Sequence, residues 1–188
     1  MAHRRATGAT LRGCDEAATR GRVTILRVCV AALLAVTIVS CAQGATATPS
    51  PASNVPCGPS EVFTRHDHAH LTILVRGQIK TVPAFIGITA SSICWLHTHD
   101  TSGIIHVEAG DNRTFTLGDF FAVWGQPLSR TVIDGERAAS AESVQVTVDQ
   151  QPYSGSPETI VLKNREDIVL QLGPPFLAIQ PYVWPPGY

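Results

Sequence analysis

Six of the seven histidines in this chain fall between His66 and His106, in three groups: His66-x-His68-x-His70, His97-x-His99 and His106-x-Glu108. Alternate residues of a β-strand point to one face, so each group presents its imidazoles on one side of an extended segment. The flanking text agrees with strands. From His66 the sequence HDHAHLTILVRGQIKTVPAF passes through β-branched residues to a turn at Gly77, then Ile79–Val82 before Pro83 stops pairing, which reads as a β-hairpin. CWLHTHDTSGIIHVEAG has two short apolar-alternating arms around Asp100-Thr101-Ser102-Gly103, a composition that favours a tight turn and a second hairpin.

The second hairpin makes a geometric prediction. If it turns on Thr101-Ser102, or on a four-residue loop Asp100 to Gly103, His97 lies directly across from His106, with Cβ atoms about 4.5–5.5 Å apart. His99 then projects from the same face roughly 6.6 Å further along. A three-residue loop would shift the pairing by one and break the alignment. In the first hairpin His66 and His70 would be about 13 Å apart at Cα, too far to chelate one ion except from nearly opposite sides. His68 and His70, nearest the apolar body of the strand, are therefore expected to join the hairpin's site, with His66 peripheral.

Downstream, Thr116 followed by Asp119 forms an acidic capping box, and Gly125 with Pro127 supplies a stop, so Leu117–Trp124 is predicted to be a short helix with Phe120, Phe121 and Trp124 in the core. Ser143–Val148, Thr159–Leu162 and Ile168–Leu172 read as strands separated by turns at Gly155, Pro157 and Asn164. Many short strands with one short helix define a mainly β fold, a small β-sandwich or barrel-like domain.

Residues 1–41 read as leader, signal peptide and lipobox. Arginines are followed by an apolar run from Val28 to Val39, too short for an unaided span of roughly 20 residues, and then by Ser40-Cys41. The end of that run resembles the lipobox of bacterial lipoproteins, which makes Cys41 the lipidation candidate and puts the remainder on the extracytoplasmic side of a cell membrane. Residues 42–60, small, polar and proline-rich, are expected to be a flexible tether, and 61–188 a single histidine-rich domain. Six of the 14 Lys and Arg and two of the 15 Asp and Glu lie in the leader, leaving 8 basic and 13 acidic residues beyond it. That mildly acidic balance argues against a nucleic-acid partner, which needs clustered Lys and Arg. Outside the leader and Cys41 only Cys57 and Cys94 remain, and in an oxidising compartment two cysteines point to a disulfide. The alternative is Cys94, three residues before His97, as a thiolate ligand.

A metal site is the physical reason for the histidine density that fits best. Its expected ligands are His97, His99 and His106, joined by His68 and His70, and Glu108 is placed to orient an imidazole through its second ring nitrogen. Asp67 and Asp100 point to the opposite face of a regular strand. Imidazoles suit zinc and divalent copper, whereas the lack of any methionine beyond Met1 argues against thioether-rich cuprous sites. Two other functions fit the same residues. In a metal-dependent enzyme, Glu108 would serve as general base beside a metal-bound water. In an interaction module, the histidines would act as a pH switch. There is no Ser-His-Asp pattern and no glycine-rich phosphate loop.

HAHL, LHTHDTSGIIHVE and TFTLGDFFAVWG together resemble a family of exported bacterial lipoproteins, over a stretch from His66 to Trp124 in which LHTHDTSGIIHVE is the specific part. The resemblance implies a compact extracytoplasmic domain and supplies no reaction. Cupins and copper–zinc superoxide dismutases also carry H-x-H strands, but the spacing of His99 and Glu108 does not fit the former and the glycine-rich signatures of the latter are missing.

Overall fold

The computed structural model of the chain describes residues 53–188; the leader, the signal segment, Cys41 and the first part of the tether lie outside them. The elements run β1 (Cys57–Gly58), β2 (Arg65–Val75), β3 (Gln78–Lys80), β4 (Ile93–Cys94), β5 (Leu96–His97), β6 (Ile104–Ala109) and α1 (Leu117–Trp124). They continue through β7 (Leu128–Ser129), β8 (Val132–Ile133), β9 (Glu136–Arg137), β10 (Ser143–Val148), β11 (Gln151–Pro152) and β12 (Glu166–Gly173). The fold is mainly β with one short helix. Seven strands form the largest sheet, in the order β11-β10-β12-β2-β6-β5 with β3 also on β2, beside a two-stranded β1–β4 ribbon and a three-stranded β7–β8–β9 meander.

Strand β2 is the axis. Its first half pairs antiparallel with β6, and its second half, past the end of β6, pairs with β3 on the same edge. Along the other edge β12 runs parallel, Glu166–Leu172 beside Ala69–Val75, and is buried over its whole length. Parity then sorts every side chain. Ala69, Leu71 and Ile73 of β2 share a face with Ile105 and Val107 of β6, Ile168 and Leu170 of β12, and Val144 and Val146 of β10, all within one apolar core. Helix α1 covers that face with Leu117, Phe120 and Phe121, each at most 1% exposed. It starts on the expected capping box, Thr116 and Asp119 each accepting from the other's backbone N–H, and stops at Gly125 in the left-handed conformation.

The sequence expectations need four adjustments. The first hairpin turns on Arg76-Gly77, both at positive φ as a two-residue type I′ turn requires, but β3 ends at Lys80 rather than Val82. In the second, β5 stops after His97 because Thr98 is engaged elsewhere. Its N–H donates to the Ile86 carbonyl, its own carbonyl accepts from Phe85 N–H, and its hydroxyl donates to the Pro83 carbonyl. Thr159–Leu162 is not a sheet strand: Pro157–Thr159 form a 3-10 turn, and the chain then bonds to the approach to α1, Leu117 N–H to the Ile160 carbonyl and Leu162 N–H to the Phe115 carbonyl. Ordered packing also begins ahead of Glu61, since Val55 is in the core and β1 pairs with β4. The pair Cys57–Cys94 in that ribbon is a disulfide, which removes Cys94 as a thiolate ligand.

The second face of the large sheet is not apolar throughout. At the β12 end residues 174–188 cross it. Gln171 fixes Leu177 through two hydrogen bonds of 2.8 and 2.9 Å, and Tyr182 N–H donates to Asp167 Oδ2 at 2.9 Å. At the β6 end the same face carries the histidines.

Candidate metal centre

The register of the sheet assembles the histidines. β5 pairs with β6 so that His97 faces His106, as the hairpin arithmetic required, and β2 pairs with β6 so that His68 faces His106 from the other side and His66 faces Glu108. His106 is thus the middle of three adjacent strands. His99 lies past the end of β5, yet its Nε2 comes to 3.2 Å from His97 Nε2. Gly103 makes the return possible: it sits at φ +87, its carbonyl accepts from Leu71 N–H, and a Cβ there would come within 2.4 Å of the Leu71 carbonyl.

Two groups of donor atoms result, each with all members within 4.8 Å of one another: His97, His99, His106 and Glu108; and His66, His68 and His106. In the first, His97 Nδ1 lies 2.9 Å from the Cys94 carbonyl, so Nδ1 carries the proton and Nε2 turns its lone pair to the site. The disulfide-linked residue therefore serves the site through its backbone. The 3.2 Å between His97 and His99 nitrogens is close to the edge of about 3.4 Å expected between two ligands of a tetrahedral zinc with bonds of about 2.1 Å. Glu108 Oε1 is 3.2 Å from His106 Nδ1 and 3.2 Å from His66 Nε2, while Oε2, 3.9 Å from His97 Nε2, has no hydrogen-bond partner.

Electrostatics prepares these groups for a cation. Burial pushes the His106 imidazole down to about 3, with His68 and the other neighbouring imidazoles adding to the effect. His68 is pushed down to about 4, by burial and then by His66, and burial lowers His97 too. All three are neutral at pH 7 and present lone pairs. Glu108 moves the opposite way, up to about 7, because burial and then Glu61 disfavour its charge. Glu61 Oε1, 3.6 Å from His99 Nε2, is a site neighbour that sequence spacing did not single out, coming as it does from the approach to β2.

The structure does not bring His70 to either group, contrary to expectation. Its Nδ1 lies 2.9 Å from Asp167 Oδ1, its Nε2 3.1 Å from the Ser102 carbonyl, and its ring stacks on Tyr182 with centroids 3.5 Å apart. Burial raises the Asp167 carboxyl, but the hydrogen bonds from His70 and Tyr182 outweigh that and hold it below the usual carboxylate range. His70 is thus a structural link between β2, the Ser102 turn and the C-terminal segment. His66, expected at the periphery, instead enters the second group, with its side chain 45% exposed. Asp67 lies on the other face, 2.5 Å from Arg65 Nε, and Asp100 caps its own turn by accepting from Ser102 N–H. Tyr188, unmarked in the sequence, packs its ring edge-on against His68, with centroids 4.7 Å apart.

Fold and site together define a mainly β domain with a buried His/Glu cluster that could hold a metal ion. No family model, curated protein or solved structure matches this chain.

Proposed function

We propose that this protein captures and holds a divalent transition metal, zinc or copper(II), on the outside of a cell membrane to which a lipid on Cys41 tethers it. The carrying observation is Glu108, 3% exposed, with Oε2 buried and unpartnered among imidazoles that are neutral at pH 7. A buried carboxylate without a partner is costly, and a cation among the lone pairs would remove the cost. His97, His99, His106 and Glu108 supply four donors, the full complement of a closed tetrahedral site, which favours holding an ion over presenting it to a substrate. The Cys57–Cys94 disulfide supports an oxidising, exported setting. Among the described residues no helix is long and apolar enough to cross a membrane.

Elemental analysis of the protein purified without a histidine tag tests this. Bound zinc or copper is expected, reduced at least tenfold in His97→Ala and in His106→Ala. Equal metal in both variants and the parent would remove the assignment.

A further inference from the structure

We propose that the histidine face holds two ions, bridged by Glu108, with His66 and His68 forming the second position; this rests on the metal-binding reading above. His106 belongs to both donor groups, yet His97 and His99 fall in one and His66 and His68 in the other. The two Glu108 oxygens face different imidazoles. Oε1 lies 3.2 Å from His66 Nε2, and Oε2 lies 3.9 Å from His97 Nε2, which is itself 3.2 Å from His99 Nε2. A carboxylate whose oxygens are offered to separate donor sets is the usual bridge of two-metal sites, in which the ions lie about 3.5–4 Å apart. Strand register enforces the arrangement: His66 faces Glu108, and His106 stands between His68 and His97.

The two positions differ in donor number. Each has one exposed histidine, His99 with its side chain 42% exposed and His66 at 45%, but the His97 position has four donors against three and Glu61 nearby through His99. The His97 position therefore binds first and more tightly. The His66 position, with fewer protein donors, binds second and exchanges faster. Five imidazoles with a carboxylate select borderline divalent ions over calcium and magnesium, which take oxygen ligands.

Copper(II) titration followed by equilibrium dialysis and electron paramagnetic resonance tests the proposal. Two ions per chain are expected, the second lowering the signal per copper through magnetic coupling. In His66→Ala, which alters an exposed side chain, the first ion is expected to bind as in the parent and the second at least tenfold more weakly. Saturation of the parent at one ion would overturn the two-ion centre and leave the metal-binding reading standing; no uptake would overturn both. Two ions with undiminished signal, or unchanged uptake of the second by His66→Ala, would also overturn the bridged centre.

Discussion

The two faces of β2, β5 and β6 are almost equally buried and chemically opposite. On one, Ala69, Leu96, Ile105 and Val107 are 0% exposed; on the other, His97 is 0%, Glu108 3%, His106 7% and His68 8% exposed. Burial of the first set stabilises the fold by roughly 25 cal/mol per Å² of apolar surface. For the second set burial is a cost that only partners can offset. Low exposure therefore does not separate core from site; the partner does. His70 has Asp167, Ser102 and Tyr182, whereas Glu108 Oε2 has no hydrogen-bond partner.

This contrast can be broken at several points. Phe120→Ala on the apolar side is expected to cost about 3–5 kcal/mol in chemical denaturation while leaving metal stoichiometry unchanged, since it opens a cavity under α1 without touching a donor. Replacing Cys57 and Cys94 together by serine is expected to cost about 3–4 kcal/mol on the chain-entropy view of a crosslink separated by 37 residues. It should also loosen the Cys94 carbonyl that orients His97, so metal affinity falls with stability. His70→Ala should cost about 1–3 kcal/mol, because Asp167 loses a buried partner, with bound metal unchanged. Metal loss in that variant without a loss of stability would make His70 a ligand rather than a structural link.

Acid separates the groups more finely in the metal-free protein. His68 and His106 titrate at about 4 and about 3 when folded, below the ordinary 6.5. Their contribution is complete above pH 6.5 and is lost as pH falls through those values. Glu108, raised from 4.5 to about 7, has the reverse sign: its contribution is complete below pH 4.5 and lost as pH rises through 7. Metal-free stability should thus rise towards pH 6.5 and then step down through pH 7 to a lower plateau, and Glu108→Gln should abolish that step in denaturation curves. With His68, His97 and His106 shifted down, their protons compete with the metal in stronger acid, whereas the Glu108 proton competes near neutrality.

Much of this was legible in the sequence, for reasons of periodicity. The facing of His97 and His106, the limits of α1, β10 and the disulfide all follow from local spacing, turn chemistry or cysteine count. What escaped depends on partners distant along the chain. Parity placed His70 on the histidine face but could not show that Asp167, brought in by a parallel β12, would occupy its Nδ1. Residues 174–188 are proline-rich without apolar alternation, so nothing marked Tyr182 and Tyr188 as a cover for that face. The spacing within β2 alone makes His66 peripheral; its pairing with Glu108 belongs to the β2–β6 register.

The central claim, that the polar face is completed by a metal, is tested most directly by the thermal midpoint of the protein at pH 7.5 with and without excess zinc or copper(II). An ion held only by the folded state must raise the midpoint by linkage, and at 100-fold excess over Kd the gain is about 2.7 kcal/mol. A rise in the parent that is lost in His97→Ala and His106→Ala is expected. An unmoved midpoint in the parent, with metal in excess, would contradict the claim and leave these histidines as structural groups.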